Sequence, residues 1–206
     1  MANKRILVTG GFGYIGSRLT PYLLELGHTV RVLDRMLYTD SGLKALQADS
    51  RFGEWKGRFS MVEGDIRDER DVQEALRDIE VVINLAAISN DPTGEIDEIL
   101  TRQVNFDAIG MMLALAREAG VQRFISASSS SVFGARDESE INELLEPAPI
   151  TYYSKYKMLS EWLVVAASSP DFCTVNVRPA TVCGVSPRQR FDLTVNKLTA
   201  DAITKR

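Results

Sequence analysis

Short apolar segments alternate with longer amphipathic segments over most of this chain. Runs of four to six residues rich in Val, Ile and Leu are typical of strands that are buried on both faces of a parallel sheet. The amphipathic segments between them have the spacing of helices. The predicted strands are residues 5–9, 29–34, 59–62, 81–85, 123–127 and 174–177.

The predicted helices cover residues 14–26, 69–77, 95–119 and 152–167. Gly120 is a stop signal for the third of these helices, and Pro170 follows the end of the fourth. The polar stretch 37–57 predicts only a short helix and a loop. Because crossovers between parallel strands are right-handed, this order of elements predicts an α/β fold with a doubly wound, Rossmann-type parallel sheet.

A glycine-rich turn joins the first predicted strand to the first helix. Residues 9–16 read TGGFGYIG, which places Gly10, Gly13 and Gly16 at regular spacing. Gly10 permits a tight turn, Gly13 lets the backbone approach a pyrophosphate, and Gly16 allows the helix to pack closely on the strand. The free N–H groups at the start of the helix then attract phosphates, so the turn predicts a dinucleotide site.

An acidic residue at the end of the second strand strengthens this prediction. Asp34 follows Gly16 by 18 residues, the separation expected for a carboxylate that binds the adenosine ribose. A carboxylate there repels a 2′-phosphate, which favours NAD over NADP. Arg35 stands beside it and leaves NADP open, because an arginine can accommodate the extra phosphate.

Composition narrows the class of protein. The chain has 206 residues, 45% hydrophobic and 25% charged, with a net charge of -4. These proportions are those of a globular protein, and the charge does not favour a nucleic-acid partner. No apolar run reaches the roughly 20 residues that span a bilayer, and no signal peptide is evident at the N-terminus, so we expect a cytoplasmic protein without a membrane partner. One histidine and two cysteines give no metal site.

These motifs together resemble the extended short-chain dehydrogenase/reductase family, in its NAD-dependent nucleotide-sugar epimerase/dehydratase branch. The resemblance rests on TGGFGYIG at 9–16, GDIRD at 64–68, NLAAISN at 84–90, Val104-Asn105, SASSSSVFG at 126–134, TYYSKYK at 151–157 and VRPATVCGVSPRQRFD at 177–192. It covers almost the whole chain. It implies NAD as the cofactor, a nucleotide-sugar substrate and a homodimer.

The resemblance also implies which residues bind the cofactor. Asp65 and Ile66 hold the adenine, residues 85–87 lie against the cofactor, and Asn105 helps to fix the geometry of the site. The full cofactor-binding set is Gly10, Phe12, Gly13, Tyr14, Ile15, Gly16, Asp34, Arg35, Asp65, Ile66, Leu85, Ala86, Ala87, Asn105, Tyr153, Lys157 and Pro179.

The family's Y-x-x-x-K motif falls on Tyr153 and Lys157. A free tyrosine, with a pKa near 10, is a poor base at neutral pH. Lys157 lies one helical turn on, and we expect its charge, with that of oxidised nicotinamide, to lower the pKa of Tyr153. Tyr152 and Tyr156 lack a lysine four positions later, so we expect both to be interfacial aromatics with solvated hydroxyls.

The serine run supplies the hydroxyl that acts with the tyrosine. Ser129 matches the family's catalytic position, and Ser131 is the second choice and a candidate sugar contact. The family's 4,6-dehydratases have adjacent acids directly after this hydroxyl, where this chain has Ser130 and Ser131. The resemblance therefore implies an epimerase, which oxidises a ring hydroxyl transiently, or else a dehydrogenase or reductase. A non-catalytic dinucleotide-binding protein is a third alternative.

Substrate binding is assigned to the segment after the last predicted strand. Arginine side chains suit a diphosphate, so Arg178, Arg188 and Arg190 are all candidates, with Arg188 and Arg190 preferred. Thr181 stands where relatives have a sugar-contacting asparagine. Because family members are longer, we expect residues 1–178 to form the dinucleotide-binding domain and residues 179–206 to begin a substrate-binding lobe, with the remainder absent.

The sequence is compatible with two arrangements of the helices that would form a homodimer contact. Relatives dimerise through two long helices, which match the predicted helices 95–119 and 152–167. Their apolar side chains could meet a second copy or could face the sheet. These side chains are Met111, Met112, Leu115, Met158 and Trp162.

Overall fold

Six parallel strands form one sheet in the order β3-β2-β1-β4-β5-β6. The computed structural model describes residues 3–37, 40–138 and 140–205. The strands are β1 (Arg5–Thr9), β2 (Thr29–Asp34), β3 (Phe59–Glu63), β4 (Val81–Asn84), β5 (Arg123–Ala127) and β6 (Cys173–Val177). All six agree with the predicted segments to within one residue, and the predicted doubly wound α/β fold is confirmed.

Helices cover both faces of the sheet. In the described ranges they are α1 (Gly16–Glu25), α2 (Ser41–Ala48), α3 (Phe52–Trp55), α4 (Glu69–Ala75), α5 (Asp91–Ile96), α6 (Glu98–Arg102), α7 (Ala108–Glu118), α8 (Tyr152–Ala166) and α9 (Thr194–Thr204). A π-helical turn, Gln103–Asp107, joins α6 to α7, and a 3-10 turn, Ser130–Phe133, follows β5. The predicted stretch 37–57 holds two short helices; Tyr38 and Thr39 lie outside the described residues.

The prediction of one long helix over 95–119 is wrong. Asp97 has an extended backbone, with φ -146° and ψ 100°, and its side chain accepts the amide of Leu100. It therefore ends α5 and starts α6 as an N-cap. A second interruption is the π-helical turn Gln103–Asp107. The apolar period of the sequence continues across both breaks, which is why the pattern alone did not indicate them.

Two apolar clusters, one on each face of the sheet, make up the core. One surrounds Phe124, Leu7 and Val82, and the other surrounds Val8, Val32 and Trp55. Five apolar side chains were candidates either for packing on the sheet or for a dimer contact. Two of them, Met112 and Leu115, belong to the core. Trp162 faces outward with 58% of its surface exposed. In the described part of the chain, no helix has the length and apolar character that crossing a membrane requires.

The strand order reverses between β1 and β4. Sheets of this kind bind ligands in the crevice outside the carboxyl ends of the strands at this point. The hydroxyl of Thr9, the last residue of β1, donates to the side-chain oxygen of Asn84, the last residue of β4, over 2.6 Å. This buried bond fixes the floor of the crevice.

Candidate active site and cofactor-binding cleft

The glycine turn between β1 and α1 fits closely against its surroundings. Gly10 has φ +67°, and a Cβ there would lie 2.9 Å from the amide nitrogen of Ala86. A Cβ on Gly16 would lie 2.3 Å from the carbonyl oxygen of Gly10. A Cβ on Gly13 would meet only that same carbonyl, at 3.2 Å. The outer side of Gly13 is therefore open to a ligand, as the spacing of the glycines predicts.

Free N–H groups lie where a phosphate would bind. Among the described residues, the Gly13 amide donates to the Gly10 carbonyl and the Ser17 amide to the Gly13 carbonyl, whereas the amides of Tyr14 and Ile15 have no protein acceptor. Both precede α1, whose N-terminus carries partial positive charge. Open space at Gly13 and unpaired amides beside it fit a pyrophosphate.

Asp34 is built into the wall of this turn. One of its carboxylate oxygens accepts the amide of Phe12 and the other that of Met36, each over 2.9 Å. Each oxygen keeps a further lone pair that a ribose hydroxyl can use. The neighbouring Arg35 has its Nε 3.3 Å from a carboxylate oxygen of Asp65. Its charge is therefore paired with an acid, which weakens the case for a 2′-phosphate there.

Asp65 and Ile66 follow β3 beside this wall. Burial alone would raise the pKa of Asp65, but hydrogen bonds from the guanidinium and amide of Arg67, with the charge of Arg35, hold it below its usual value. The Arg67 guanidinium approaches Asp65 to 2.6 Å. The side chain of Ile66 is buried. An adenine ring here would meet backbone and an aliphatic surface, which suits its flat apolar faces.

Residues 85–87 lead out of β4 across the crevice. The amide of Leu85 donates to the carbonyl of Thr9 over 3.1 Å, and that of Ala86 to the Thr9 hydroxyl over 3.3 Å. Asn105, buried in the π-helical turn, then binds both backbone groups of Ile88 over 3.0 Å each. Its side chain thereby holds the segment after β4 in place. That Asn105 fixes the geometry of the active site stays a prediction.

Tyr153 lies on the first turn of α8 and is 7% exposed. Burial raises its pKa and the charge of Asp91 adds to the rise, whereas a hydrogen bond with Ser129 and the charge of Arg190 oppose it. Lys157 is not among the groups that shift it. Burial is the largest effect on this pKa in the protein chain by itself. The expectation that Lys157 and oxidised nicotinamide together lower the pKa of Tyr153 concerns the site with its cofactor bound, and it stays a prediction.

Lys157 is buried one helical turn beyond Tyr153. Its Nζ donates to the carbonyl of Ala127, the last residue of β5, over 2.8 Å. Burial lowers its pKa to about 8, and the charge of Glu161 opposes this fall. The lysine is thus held at the carboxyl end of β5 and remains mainly protonated at neutral pH.

The serines after β5 form a capped turn. The Ser129 hydroxyl accepts the amide of Ser131 over 3.1 Å and thereby caps the 3-10 turn. The amide of Ser130 donates to the carbonyl of Pro179 over 3.0 Å, which joins this turn to the segment after β6. Ser129 and Ser131 are both half-buried. Ser129 thus binds Tyr153 while its own position is fixed.

The two other tyrosines of α8 differ from each other. The hydroxyl of Tyr156 donates to Glu98 over 2.9 Å and its ring is buried, so the expectation of a solvated hydroxyl is wrong there. Tyr152 is partly exposed, and its pKa is raised by a hydrogen bond to Glu98. Only Tyr153 of the three binds a side chain of the serine turn.

The segment after β6 folds back over the catalytic side of the cleft. Arg190 holds Asp192 with two guanidinium nitrogens, at 3.1 Å and 2.5 Å, and approaches the hydroxyl of Ser89 to 3.2 Å. Asn90 donates to Asp192 over 3.1 Å. The charge of Arg190 lowers the pKa of Tyr153, as the hydroxyl of Ser129 does. We call the region formed by these three residues the catalytic corner. Of the other candidates, Arg188 is half-buried, as Arg190 is, and Thr181 is exposed.

Sequence reasoning missed how this segment is anchored. The Tyr14 hydroxyl donates to the carbonyl of Gly184 over 2.7 Å and accepts from Asn196 over 2.9 Å. The Ser186 hydroxyl donates to the carbonyl of Tyr14 over 2.7 Å. Tyr14 therefore offers its amide to the cleft and uses its side chain to hold residues 184–196. No motif links positions so far apart in the chain.

Arg178 is not available to a diphosphate. Its guanidinium binds Glu161 at 2.9 Å and 2.6 Å and stacks on the ring of Phe133. The interpretation of Arg178 as a substrate ligand is therefore wrong, because a buried acid one turn beyond Lys157 takes its charge.

Comparison with known proteins agrees with this geometry. The model of the NAD dependent epimerase/dehydratase family matches residues 6–205. The chain belongs to this family. Its members use NAD, and the glycine turn, Asp34 and the open amides fit that cofactor.

Relatives with different substrates are similar to this member of the family. Sterol-4-alpha-carboxylate 3-dehydrogenase, decarboxylating, from Mus musculus is 33% identical over 186 residues, 88% of this chain and 46% of that protein. A UDP-glucose 4-epimerase from Klebsiella pneumoniae is 36% identical over 132 residues, 63% of this chain and 92% of that protein. The chain spans about half the length of the first of these relatives.

One of the solved structures that are similar to this chain contains bound ligands. UDP-glucuronic acid 4-epimerase from Bacillus cereus, in complex with UDP-glucuronic acid and NAD, is 27% identical with a TM-score of 0.83. The match covers 98% of this chain and 64% of that one.

Proposed function

We propose that this protein is an NAD-dependent epimerase that acts on a nucleotide sugar by transient oxidation of a ring hydroxyl. One observation carries the proposal: the buried Tyr153 has Lys157 one helical turn away, and the hydroxyl of Ser129 and the charge of Arg190 both lower its pKa. A base, a hydroxyl donor and two cations at one corner suit an anionic alcohol substrate.

The side chains divide the work of oxidation between them. Tyr153 takes the proton of the substrate hydroxyl and returns it in the reverse step. Ser129 donates a hydrogen bond to the same substrate oxygen. Lys157 stabilises the tyrosinate by its charge. NAD, held by the glycine turn and Asp34, would supply the acceptor for a hydride from the carbinol carbon and the donor for its return, which in an epimerase goes to the opposite face of the sugar.

The cofactor is held by the predicted set of residues, with the glycine turn on the pyrophosphate, Asp34 on the adenosine ribose and Asp65 with Ile66 on the adenine. Residues 1–178 form the dinucleotide-binding domain, and residues 179–206 begin the substrate-binding region. Thr181, Arg188 and Arg190 contact the substrate from that region, and Ser131 contacts it from the turn after β5. An arginine suits the diphosphate of a nucleotide sugar, because its guanidinium donates two parallel hydrogen bonds.

A second candidate is an NAD-dependent dehydrogenase of a hydroxy acid or sterol alcohol. The 33% identity with the mouse sterol-carboxylate dehydrogenase over 88% of this chain favours it. The side-chain chemistry at Tyr153 is the same in both reactions. The difference is whether the ketone is reduced again on the enzyme or released with reduced cofactor. A non-catalytic role is less well supported, because both Tyr153 and Lys157 are present.

One experiment separates the candidates. The purified protein is denatured, and any released dinucleotide is identified by mass spectrometry. The native protein is then incubated with NAD and a panel of nucleotide sugars. An epimerase retains NAD and interconverts two sugars without net reduced nicotinamide. Accumulation of reduced nicotinamide favours the dehydrogenase, and retained NADP contradicts the role of Asp34.

The protein is further proposed to be a cytoplasmic homodimer. Its exposed apolar side chains on α6 and α8 support this, since Ile99 is 71%, Trp162 58% and Val165 67% exposed. Light scattering after size exclusion measures the mass of the particle. We expect twice the chain mass, and the mass of one chain for Trp162→Asp.

A further inference from the structure

A buried ion pair lies one helical turn beyond Lys157 on α8. Glu161 is only 4% exposed. Its two carboxylate oxygens accept from Nε and Nη2 of Arg178 over 2.9 Å and 2.6 Å. The side-chain amide of Asn176 donates to the Glu161 carbonyl over 3.2 Å, and the guanidinium carbon of Arg178 lies 4.8 Å from the centre of the Phe133 ring. The pair thus joins α8, β6 and the turn after β5.

Stability gives a poor explanation for this pair. Burying two charges costs solvation, and apolar residues of similar volume are often as stable or more so. The arrangement is also incompletely satisfied, because Nη1 of Arg178 is buried without a partner among the described residues. A pair of this kind next to a catalytic lysine suggests a role in the site.

Glu161 and Lys157 face each other along α8. They are four residues apart, so their side chains lie on the same side of the helix. Both are buried, where charges interact more strongly than in water. The Lys157 ammonium has one hydrogen bond, to the uncharged carbonyl of Ala127. Glu161 is the one acid that opposes the fall of the Lys157 pKa caused by burial.

Of the remaining acids on elements packed against α8, Glu118 at the end of α7 is exposed, and four others have partners elsewhere. They are Asp91 and Glu95 of α5, Glu98 of α6 and Asp107 of the π-helical turn. Their partners are, in the same order, the Thr151 hydroxyl, the Tyr152 amide, the Tyr156 hydroxyl and Arg102. Of the nearby arginines, Arg178 holds Glu161 and Arg190 holds Asp192.

We propose that Glu161, fixed in place by Arg178, is a positioning residue that keeps Lys157 charged beside Tyr153. Arg178 sets how much of the carboxylate's charge Lys157 experiences. The catalytic meaning of this role rests on the proposed function, but the electrostatic relation between the three side chains does not.

The titration of Lys157 tests this relation without turnover or a known substrate. Lysine labelled with ¹³C at the ε-carbon is incorporated, and its NMR shift is followed with pH in the protein with and without NAD. Lys157→Met identifies the signal by its loss. Because no substrate enters, a failed search for an epimerase activity leaves this result intact.

We expect the two single variants to shift the titration midpoint of Lys157 in opposite directions. Glu161→Gln removes the carboxylate's charge, so the titration midpoint of Lys157 falls by about one pH unit or more. Arg178→Met frees the carboxylate to act on Lys157, so the midpoint rises. A purely structural role would move both variants the same way or not at all.

The matched control is an exposed pair of the same shape. Asp49 binds Nε and Nη2 of Arg51 over 3.0 Å and 2.9 Å, far from α8. Asp49→Asn leaves the Lys157 midpoint unchanged. If Glu161→Gln does not fold, the double variant Glu161→Gln with Arg178→Met removes both charges. Its midpoint lies below that of the wild type, and a midpoint equal to the wild type overturns the proposal.

Discussion

On the cofactor side of the cleft, between β1 and β2, the groups that face a ligand are mostly backbone atoms, whereas on the catalytic side, between β5 and β6, they are side chains. The glycine turn offers amides and open space, and Asp34 is the main side chain there. The catalytic corner brings Ser129, Tyr153 and Arg190 together from three separate segments. The first side depends on local geometry and the second on tertiary packing.

This difference predicts different failures. A change on the catalytic side should stop chemistry while leaving the cofactor bound. A change on the cofactor side should loosen the turn and lose NAD. Four substitutions test whether the two sides of the cleft fail in these different ways.

Tyr153→Phe removes the base and leaves the buried ring. We expect turnover to fall by about 10²–10⁴-fold, the range for loss of an acid-base group. The affinity for NAD, measured by fluorescence titration, should stay within a few-fold. Tyr152→Phe is the control, since that tyrosine is partly exposed. Equal loss of NAD binding and turnover in Tyr153→Phe would break the division between the two sides.

Lys157→Met tests how much the burial of the Lys157 ammonium lowers the free energy of unfolding. Its folded pKa of about 8 lies below the ordinary value of 10.5, so the unfolded chain binds the proton more tightly between these values. The free energy of unfolding of the wild type should therefore rise relative to Lys157→Met, by about 3 kcal/mol, as the pH increases through this window. Urea denaturation at pH 7.5 and above pH 10 measures it.

Lys44→Met is the control for this experiment, because Lys44 is an exposed lysine paired with Asp40. Its stability relative to the wild type should not change over the same pH range. A constant difference between wild type and Lys157→Met would mean that the lysine is not desolvated in the fold.

Gly16→Ala tests the backbone side. The added Cβ would lie 2.3 Å from the Gly10 carbonyl oxygen and 2.6 Å from Gly11, and backbone cannot move aside cheaply. We expect a loss of about 1–3 kcal/mol in unfolding free energy, typical of overpacking, together with weaker NAD binding. Gly53→Ala is the control, since no atom lies within 4 Å of its added Cβ. Thermal and urea denaturation compare the two.

Asp34→Asn should have the smallest effect. An asparagine keeps one acceptor oxygen, so one of the two backbone bonds, to Phe12 or to Met36, is lost. We expect NAD to bind about 10-fold more weakly, equal to about one hydrogen bond, and discrimination against NADP to fall. Binding titrations with both dinucleotides measure this, with Asp40→Asn as the control. Tighter binding of NADP than NAD by the wild type would contradict the role of Asp34.

The strands and the glycine turn could be predicted from the sequence because local interactions determine them. Strand spacing, the Gly10–Gly16 pattern and Asp34 at the end of β2 each depend on a few adjacent residues. The break at Asp97 could not be predicted in this way, because the apolar pattern runs through it. The Tyr153–Lys157 motif was recognised by resemblance, but the raised pKa of Tyr153 depends on its burial.

The order of the strands and helices, the phosphate-binding turn and the candidate catalytic pair can all be read from the amino-acid sequence. Only the tertiary structure decided that Arg178 binds Glu161, that Tyr14 anchors residues 184–196, and that Arg190 reaches the catalytic corner. The difference arises from how far apart in the chain the interacting residues are. Backbone conformation follows from neighbouring residues, whereas the partner of a buried charge follows from which distant elements pack against it.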